Sequence, residues 1–248
     1  FRAEFVGTDG KVLHHEEFAG RTRDEPGEPP KARREIHVAT TGNDANPGTA
    51  ALPKRTLAEA LKGANQAGTH VILHGGIYFE GDLPAVGKGT AKDPIVIRGA
   101  KGETAILDGS DQACLSATWK DLGRGYFSAP FAGSTKVVCI ENVKTGEVRR
   151  LYPVGSLANL KAKRVGRSTF GTYEISEAFF CTGKELVIYC PYYKAGETAI
   201  HAARRGSVAE HSRSRHVVYS DLTCRFFHGQ VFYVNDSSDL TFRRCTFQ

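Results

Sequence analysis

The sequence contains no methionine and a single tryptophan in 248 residues. It opens at Phe1 with neither an initiator Met nor a signal peptide, so a processed form or an excised piece of a longer chain is expected. No apolar run approaches the roughly 20 residues of a membrane-crossing helix, and membrane insertion is not expected. Six cysteines, at positions 114, 139, 181, 190, 224 and 245, include no Cys-x-x-Cys pair and no zinc spacing. They leave the compartment open: a disulfide between Cys181 and Cys190 is possible but not implied, and Cys224 and Cys245 read as small core residues. A Ser-His-Asp elbow, a P-loop and a dinucleotide fingerprint are all missing, which removes three common enzyme chemistries.

What the chain does have is glycine, 27 of them, suiting many short strands joined by tight turns. It also carries a net charge of +6, spread along its length in small clusters such as Arg149-Arg150, Arg204-Arg205 and Arg213-Ser214-Arg215. A basic surface can meet an acidic polysaccharide, nucleic acid or anionic lipid, or it can simply aid solubility. No nucleic-acid-binding motif accompanies it, and no nucleic-acid partner is expected.

Residues 1–35 read as an N-terminal remnant: two strands around a Thr-Asp-Gly turn, then a polar, proline-rich linker. Next comes a short strand, EIHVA, and a loop of Gly, Asn, Asp and Pro. A helix over 56–67 follows. Thr56 and Glu59 have capping-box spacing, Leu57, Ala60, Leu61 and Ala64 form one apolar stripe, and Gly68 ends it. Strands resume in THVILHGGIYFEG, DPIVIRGAKG and TAILDGS without alternating helices, which disfavours a doubly wound sheet.

At the C-terminal end an internal repeat appears. Val217, Tyr219, Leu222 and Cys224 align with Leu240, Phe242, Cys245 and Phe247, a period of 23. Apolar positions alternate, break at two polar residues and alternate again, as strands bent at a corner do. Repeats of this length suggest stacked coils, each burying its neighbour's face, with the short helix as lid on the first. Residues 111–198 break the pattern and read as a small antiparallel β domain inserted between coils, with hairpin turns at Lys-Thr-Gly-Glu and Thr-Gly-Lys-Glu. The expected fold is all-β, a right-handed parallel β-helix with an N-terminal capping helix and this insert. Its segments are 1–35, 36–110, 111–198 and 199–248, with further coils expected beyond Gln248.

The string Gly42-Asn43-Asp44, Asn46-Pro47-Gly48-Thr49, Pro53, Thr56-Leu57 and Gly75-Gly76-Ile77-Tyr78 resembles the N-terminal cap of right-handed parallel β-helix carbohydrate-active enzymes. That group includes pectate lyase-like proteins and several glycoside hydrolases. The inserted WKDLGRGYFS, RRLYPVGSL and KELVIYCP also look like the insert of β-helix glycosidases. The resemblance covers about 36–110 and 200–248. It implies a secreted or cell-surface protein acting on a polysaccharide, with acidic ones among the candidates, by acid/base hydrolysis. A Ca²⁺-dependent lyase of uronate polymers and a non-catalytic surface scaffold are the alternatives.

Hydrolysis needs two carboxyl groups flanking one bond. Asp236 and Asp239 lie at one corner and Asp221 at the preceding coil's corner, so stacking could gather them; equally, Asp is a common corner residue. His228 is a candidate acid, base or sugar contact, or a structural histidine. Arg204, Arg205, Arg213 and Arg215 could pair with uronate carboxylates or serve only as loop surface. Asn43, Asp44 and Asn46 form the richest oxygen cluster for Ca²⁺, though turn-making explains them as well. No metal ligand set is assigned. Trp119, Tyr126 and Tyr152 could stack on sugar rings or pack in the small β domain.

Overall fold

The computed structural model describes residues 2–6, 11–17, 27–163 and 175–248. The chain is all-β with short helices. Strands β1 (Arg2–Val6) and β2 (Val12–Glu17) pair antiparallel; the turn predicted between them lies outside the described residues. Then follow β3 (Arg34–Val38), α1 (Leu57–Lys62), β4 (Thr69–Leu73), β5 (Gly76–Tyr78), β6 (Ile95–Gly99) and β7 (Ala105–Asp108). The middle of the chain carries α2 (Gln112–Leu115), β8 (Lys120–Gly123), β9 (Tyr126–Gly133), β10 (Val138–Asn142), β11 (Val148–Arg150) and β12 (Tyr152–Pro153). It continues with α3 (Leu157–Ala162), β13 (Ala178–Cys181), β14 (Gly183–Tyr189) and β15 (Thr198–Ala202). The last stretch holds β16 (Ala209–Ser212), β17 (Arg215–Ser220), β18 (Leu222–Arg225), β19 (Phe232–Asn235), β20 (Ser238–Arg243) and β21 (Thr246–Phe247).

Successive passes of the chain add to the same sheets in the same order. One sheet runs β3-β4-β6-β17-β20, a second β5-β7-β18-β21, and a third pairs β16 with β19; every pairing in them is parallel. The 23-residue spacing read in the sequence is the register itself: Val217 pairs with Leu240, Tyr219 with Phe242 and Cys224 with Phe247. Between β17 and β18 the strand bends at Asp221, whose φ is 57°, and the equivalent bend in the next pass is at Arg244, φ 47°. One left-handed residue shifts the alternation, so Tyr219 and Leu222 both face the core.

That core is a column of aliphatic and aromatic side chains running through the passes, including Val38, Val71, Leu73, Ile95, Ile97, Leu107, Val217 and Tyr219. Inside it His211 is fully buried, with its ring nitrogens 3.0 Å from Ser214 Oγ and from Tyr219 Oη. Burial holds its pKa below the ordinary histidine value, so it sits in the core neutral.

Helix α1 closes the β3 end of this column with Leu57, Ala60 and Leu61, all buried. It is shorter than the predicted 56–67. Gly63 stands at the C-cap, donating to Ala60 and Leu61 carbonyls, while Asn65 Oδ1 accepts from Gly87 N and draws the chain off the helical path. Ala64 stays buried although it is outside the helix. The capping box is half formed. Thr56 Oγ1 accepts from Glu59 N at 3.2 Å, but Thr56 N donates to Asp44 Oδ1 instead of to Glu59, whose carboxylate takes Lys62.

Residues from β8 to β15 form two antiparallel-rich sheets, β12-β13-β14-β9-β8 and β11-β10-β15. Both predicted hairpin turns are present, with Gly146 (φ 70°) and Gly183 (φ 91°) in the left-handed conformation that suits glycine. Cys181 pairs across its strand with Leu186 rather than facing Cys190, and all six cysteines are free thiols. The chain leaves β7 and returns after β15 side by side: Asp111 N donates to Ala202 O, and Arg204 N and Arg205 N both donate to Gly109 O. This domain is therefore held at its neck as a loop out of the stacked passes.

Candidate functional site

The predicted corner acids come to lie in a ladder, not a cleft. Left-handed residues recur at the 23-residue period: Arg213 and Asp236, His216 and Asp239, Asp221 and Arg244. At two of these three levels an acid meets a base. Asp221 accepts from Arg244 Nε at 2.5 Å and Nη2 at 2.9 Å, and His216 Nδ1 lies 3.7 Å from Asp239 Oδ2. The Arg244 contact holds the Asp221 carboxyl below its ordinary pKa, which suits an ion-pair partner and not a proton donor. The expectation that stacking would gather Asp221 with Asp236 and Asp239 is corrected. Asp221 is level with Arg244, and the five residues from Asp239 to Arg244 span about 15 Å of extended chain.

His228 lies in the segment after β18, where its N–H donates to Arg205 O. Its ring borders Gly206, whose N–H donates to the Asp82 carboxylate. The four predicted arginines divide. Arg204 directs Nε and Nη2 to Asp111 Oδ2 at 2.8 and 2.6 Å, and Nη1 to Ala132 O at 2.7 Å, with its guanidinium 4.2 Å over the Phe131 ring. Arg205 donates to Ser110 O at 2.7 Å. Both fasten the neck of the inserted domain, so uronate pairing is the wrong expectation for Arg204, whose fork is already filled. Arg213 and Arg215 are exposed; Arg215 reaches Ser238 Oγ at 3.4 Å.

A buried polar network joins the stacked passes to the inserted domain, and nothing in the sequence reading picked it out. Asp108 on β7 is fully buried and accepts from Ser110 N, Ser110 Oγ and, at 2.8 Å, Arg225 Nε on the neighbouring β18. Arg225 also lies 3.6 Å from Glu141 of β10, and Glu141 Oε2 is 2.8 Å from His201 Nε2 of β15. The His201 ring stacks on Phe226 at 4.0 Å, beside an apolar patch of Val137, Cys139 and Ala203. Bases and acids alternate along it, as burial of charge requires. The pattern was available as an in-register pair, since Asp108 stands directly opposite Arg225.

Around α1, two carboxylates hold the helix N-terminus. Burial pushes Asp44 up, but the Thr56 and Arg55 N–H groups prevail and keep its pKa below normal. Glu80, which the sequence reading passed over, accepts from Leu57 N and Ala58 N at 2.9 Å, yet burial outweighs those donors and raises its pKa. Both interact with the helix end where anions are favoured. Among the oxygens considered for Ca²⁺, Asn43 Oδ1 accepts from Ala45 N and the Asp44 carboxylate from the Arg55 and Thr56 N–H groups, while Lys54 Nζ sits 3.1 Å from the Asp44 backbone carbonyl and 2.9 Å from that of Asn46. No group of three or more His, Cys, Asp or Glu side chains placed to hold a metal ion occurs among the described residues.

The outward face of the β3-β4-β6-β17-β20 sheet bears two rows of side chains in register: His70, Val96, Val218 and Thr241, then Ile72, Arg98, Ser220 and Arg243. His70, Ile72, Val96 and Ser220 face away from the core but are buried. Residues 28–32 lie over them and line a cavity of about 180 Å³ with Glu35, His70, Arg98, Ser220 and Asp221. Among the aromatic candidates, Trp119 packs on the inserted domain's core near Tyr193, and Tyr126 rests on Tyr189 at 4.9 Å. Tyr152 is exposed and free to stack.

No family model matches the chain. Over 78 residues it is 37% identical to an uncharacterized protein, YwoF, of Bacillus subtilis (strain 168), covering 32% of this chain and 16% of that one. Among solved structures it is similar to XylC in complex with xylose, with a TM-score of 0.55 and 18% identity over 79% of this chain and 36% of that chain. A glycoside hydrolase gives a TM-score of 0.52 at 13% identity, over 78% of this chain and 51% of the other. The likeness is one of fold. Because 79% of the chain, about 196 residues, exceeds the 160 lying outside 111–198, the match with XylC reaches into the inserted domain. The chain spans about a sixth of YwoF, a third of XylC and half of the glycoside hydrolase. Among the described residues no helix is long and apolar enough to cross a membrane.

Proposed function

We propose that the stacked parallel sheets are coils of a right-handed parallel β-helix, and that the protein is an extracellular glycoside hydrolase acting on polysaccharide. The observation that carries this reading is the fold shared with XylC, seen with xylose, across the stacked passes and into the inserted domain. The 23-residue register supports the β-helix. A fold hosts many chemistries, so the reaction has to be argued from the site. Acid/base hydrolysis calls for two carboxyl groups about 5–10 Å apart beside one bond. Of the acids considered, Asp221 is tied to Arg244, whereas Asp236, in the turn after β19, and Asp239, near the start of β20 and 3.7 Å from His216 Nδ1, keep exposed carboxylates three residues apart. They are the pair assigned to this role.

The test is reducing-end release by the full chain across neutral and acidic polysaccharides, with and without chelator. Release that persists in chelator without a gain in ultraviolet absorbance is the expected result. A chelator-sensitive absorbance gain identifies a lyase, and binding without release identifies a scaffold; either overturns the reading. Asp236→Asn and Asp239→Asn are each expected to lower the rate at least 100-fold. A loss below twofold removes the two aspartates from the chemistry.

A further inference from the structure

The strap at residues 27–32 crosses an outward sheet face that has under-satisfied arginines. Arg33 anchors one end of it through Asp93, with both contacts at 2.6 Å, and through its N–H to Gly68 O. At the other end Glu28 reaches over the sheet to β20 and its following corner. Its Oε1 accepts from Arg244 Nη1 at 2.9 Å, and its Oε2 lies 3.0 Å from Arg243 Nη1 as an ion pair lacking hydrogen-bond alignment. Pro29 and Pro30 between these anchors supply no backbone N–H and keep the segment extended.

Beneath the strap, packing is incomplete. Cavities of about 180 and 230 Å³ flank it, the second lined by His216, Val218, Asp239 and Thr241. Arg98 Nε and Arg243 Nε are buried and make no hydrogen bond among the described residues. Both belong to one row, separated by Ser220, so they stand two strand spacings apart, about 10 Å. Buried donors without acceptors are rare, and each asks for a partner. The local charge favours an anion. Arg243 and Arg244 hold the Glu28 carboxylate, Lys31 and Arg98 line the same cavity, and the acids there besides Glu28 are Glu35 and Asp221, the latter paired with Arg244.

We propose that this face is a binding site for carboxylate-bearing sugars, and that Glu28 occupies it as an intramolecular stand-in for a uronate carboxylate. This rests on the glycan reading above and narrows it to uronate-containing chains. The plug is weakly held. The Glu28 side chain is 69% exposed and its Arg244 partner 44% exposed, so solvent screens the contact. Arg243, at 13% exposure, presents its guanidinium from a fixed place in the sheet. One carboxylate of a uronate chain entering the groove would take the Glu28 contacts with Arg243 and Arg244, and a second carboxylate further along the chain would face Arg98 two strand spacings away.

The experiment is titration calorimetry of the full chain with oligogalacturonate, and with xylo-oligosaccharide as the uncharged control. Glu28→Gln removes the competing charge from an exposed site without disturbing the core, and it is expected to tighten oligogalacturonate binding about fivefold. Arg98→Gln and Arg243→Gln are each expected to weaken it at least tenfold, with the Trp119 fluorescence unfolding curve as a check on folding. Xylo-oligosaccharide affinity should be the same in all four proteins. Unchanged oligogalacturonate affinity in Glu28→Gln together with Arg98→Gln overturns the inference. Hydrolysis of a neutral glycan with no oligogalacturonate binding also overturns it while leaving the hydrolase reading intact. The converse, oligogalacturonate binding tightened by Glu28→Gln with no hydrolysis of any glycan, upholds the site and removes the hydrolase.

Discussion

Arg225→Ala is expected to destabilise the protein by about 3–5 kcal/mol, the range found when one partner of a buried ion pair is removed. Its guanidinium is what makes Asp108 tolerable inside the protein. Without it that fully buried carboxylate keeps only the Ser110 N–H and hydroxyl, and Glu141 keeps only His201. Because Asp108 and Arg225 sit on the stacked passes and Glu141 and His201 on the inserted domain, the damage falls on the joint between them. Urea unfolding followed by Trp119, which packs on the inserted domain's core, reads this directly. Arg225→Lys should recover only part of the loss, since an ammonium cannot bridge Asp108 and Glu141 in the fork geometry. Asp108→Asn combined with Arg225→Gln should recover more, because no uncompensated charge remains. A loss below about 1 kcal/mol for Arg225→Ala would mean that water reaches Asp108 and that the network is not a structural joint.

Leu57→Ala comes next in size, at about 2–5 kcal/mol. Leu57 is fully buried at the start of α1 and packs into the same cluster as Val38, Val71 and Leu73, so truncation leaves a cavity at the closed end of the core. The cost exceeds that of an ordinary surface-helix position because α1 is only six residues long and cannot stand on its own propensity. Its place is maintained by burial and by the Asp44 and Glu80 contacts at its N-terminus. Leu52, on the exposed part of the same loop, is the comparison. Leu52→Ala should shift the urea midpoint by less than 0.5 kcal/mol equivalent. Equal effects of the two substitutions would mean that α1 does not seal the column.

These two residues also show which parts of the structure were legible in the sequence. Leu57 was readable because a helical stripe and a cap leave a periodic trace, and Val217 over Leu240 was readable because stacked passes repeat their inward residues. Helix α1 ends earlier than the sequence suggests because Gly63 caps it locally, bonding to Ala60 and Leu61, and the Asn65–Gly87 contact turns the chain away through tertiary structure, whereas Gly68 reads as the stop signal in isolation. The corner acids were misread for a related reason. The same 23-residue period that aligned the core residues also aligns Asp221 with Arg244 and Asp239 with His216, and reading it for charge would have given pairs in place of an acid cluster. Arg225 with Glu141, and Glu28 with Arg243 and Arg244, are harder. They join segments 84 and more than 200 residues apart through the inserted domain and the strap, and no periodicity connects them.

The passes lie in parallel, the last two with a register of 23, and that register decides which of their side chains share the outward face. Disulfide trapping measures it. Val218 and Thr241 are paired on that face, and adjacent strands are about 4.8 Å apart, within disulfide reach. Val218→Cys with Thr241→Cys should cross-link under mild oxidation, while Val218→Cys with Phe242→Cys should not, since Phe242 points to the opposite side. The reverse pattern, or no link in either variant, would contradict the register and with it the site drawn on this face.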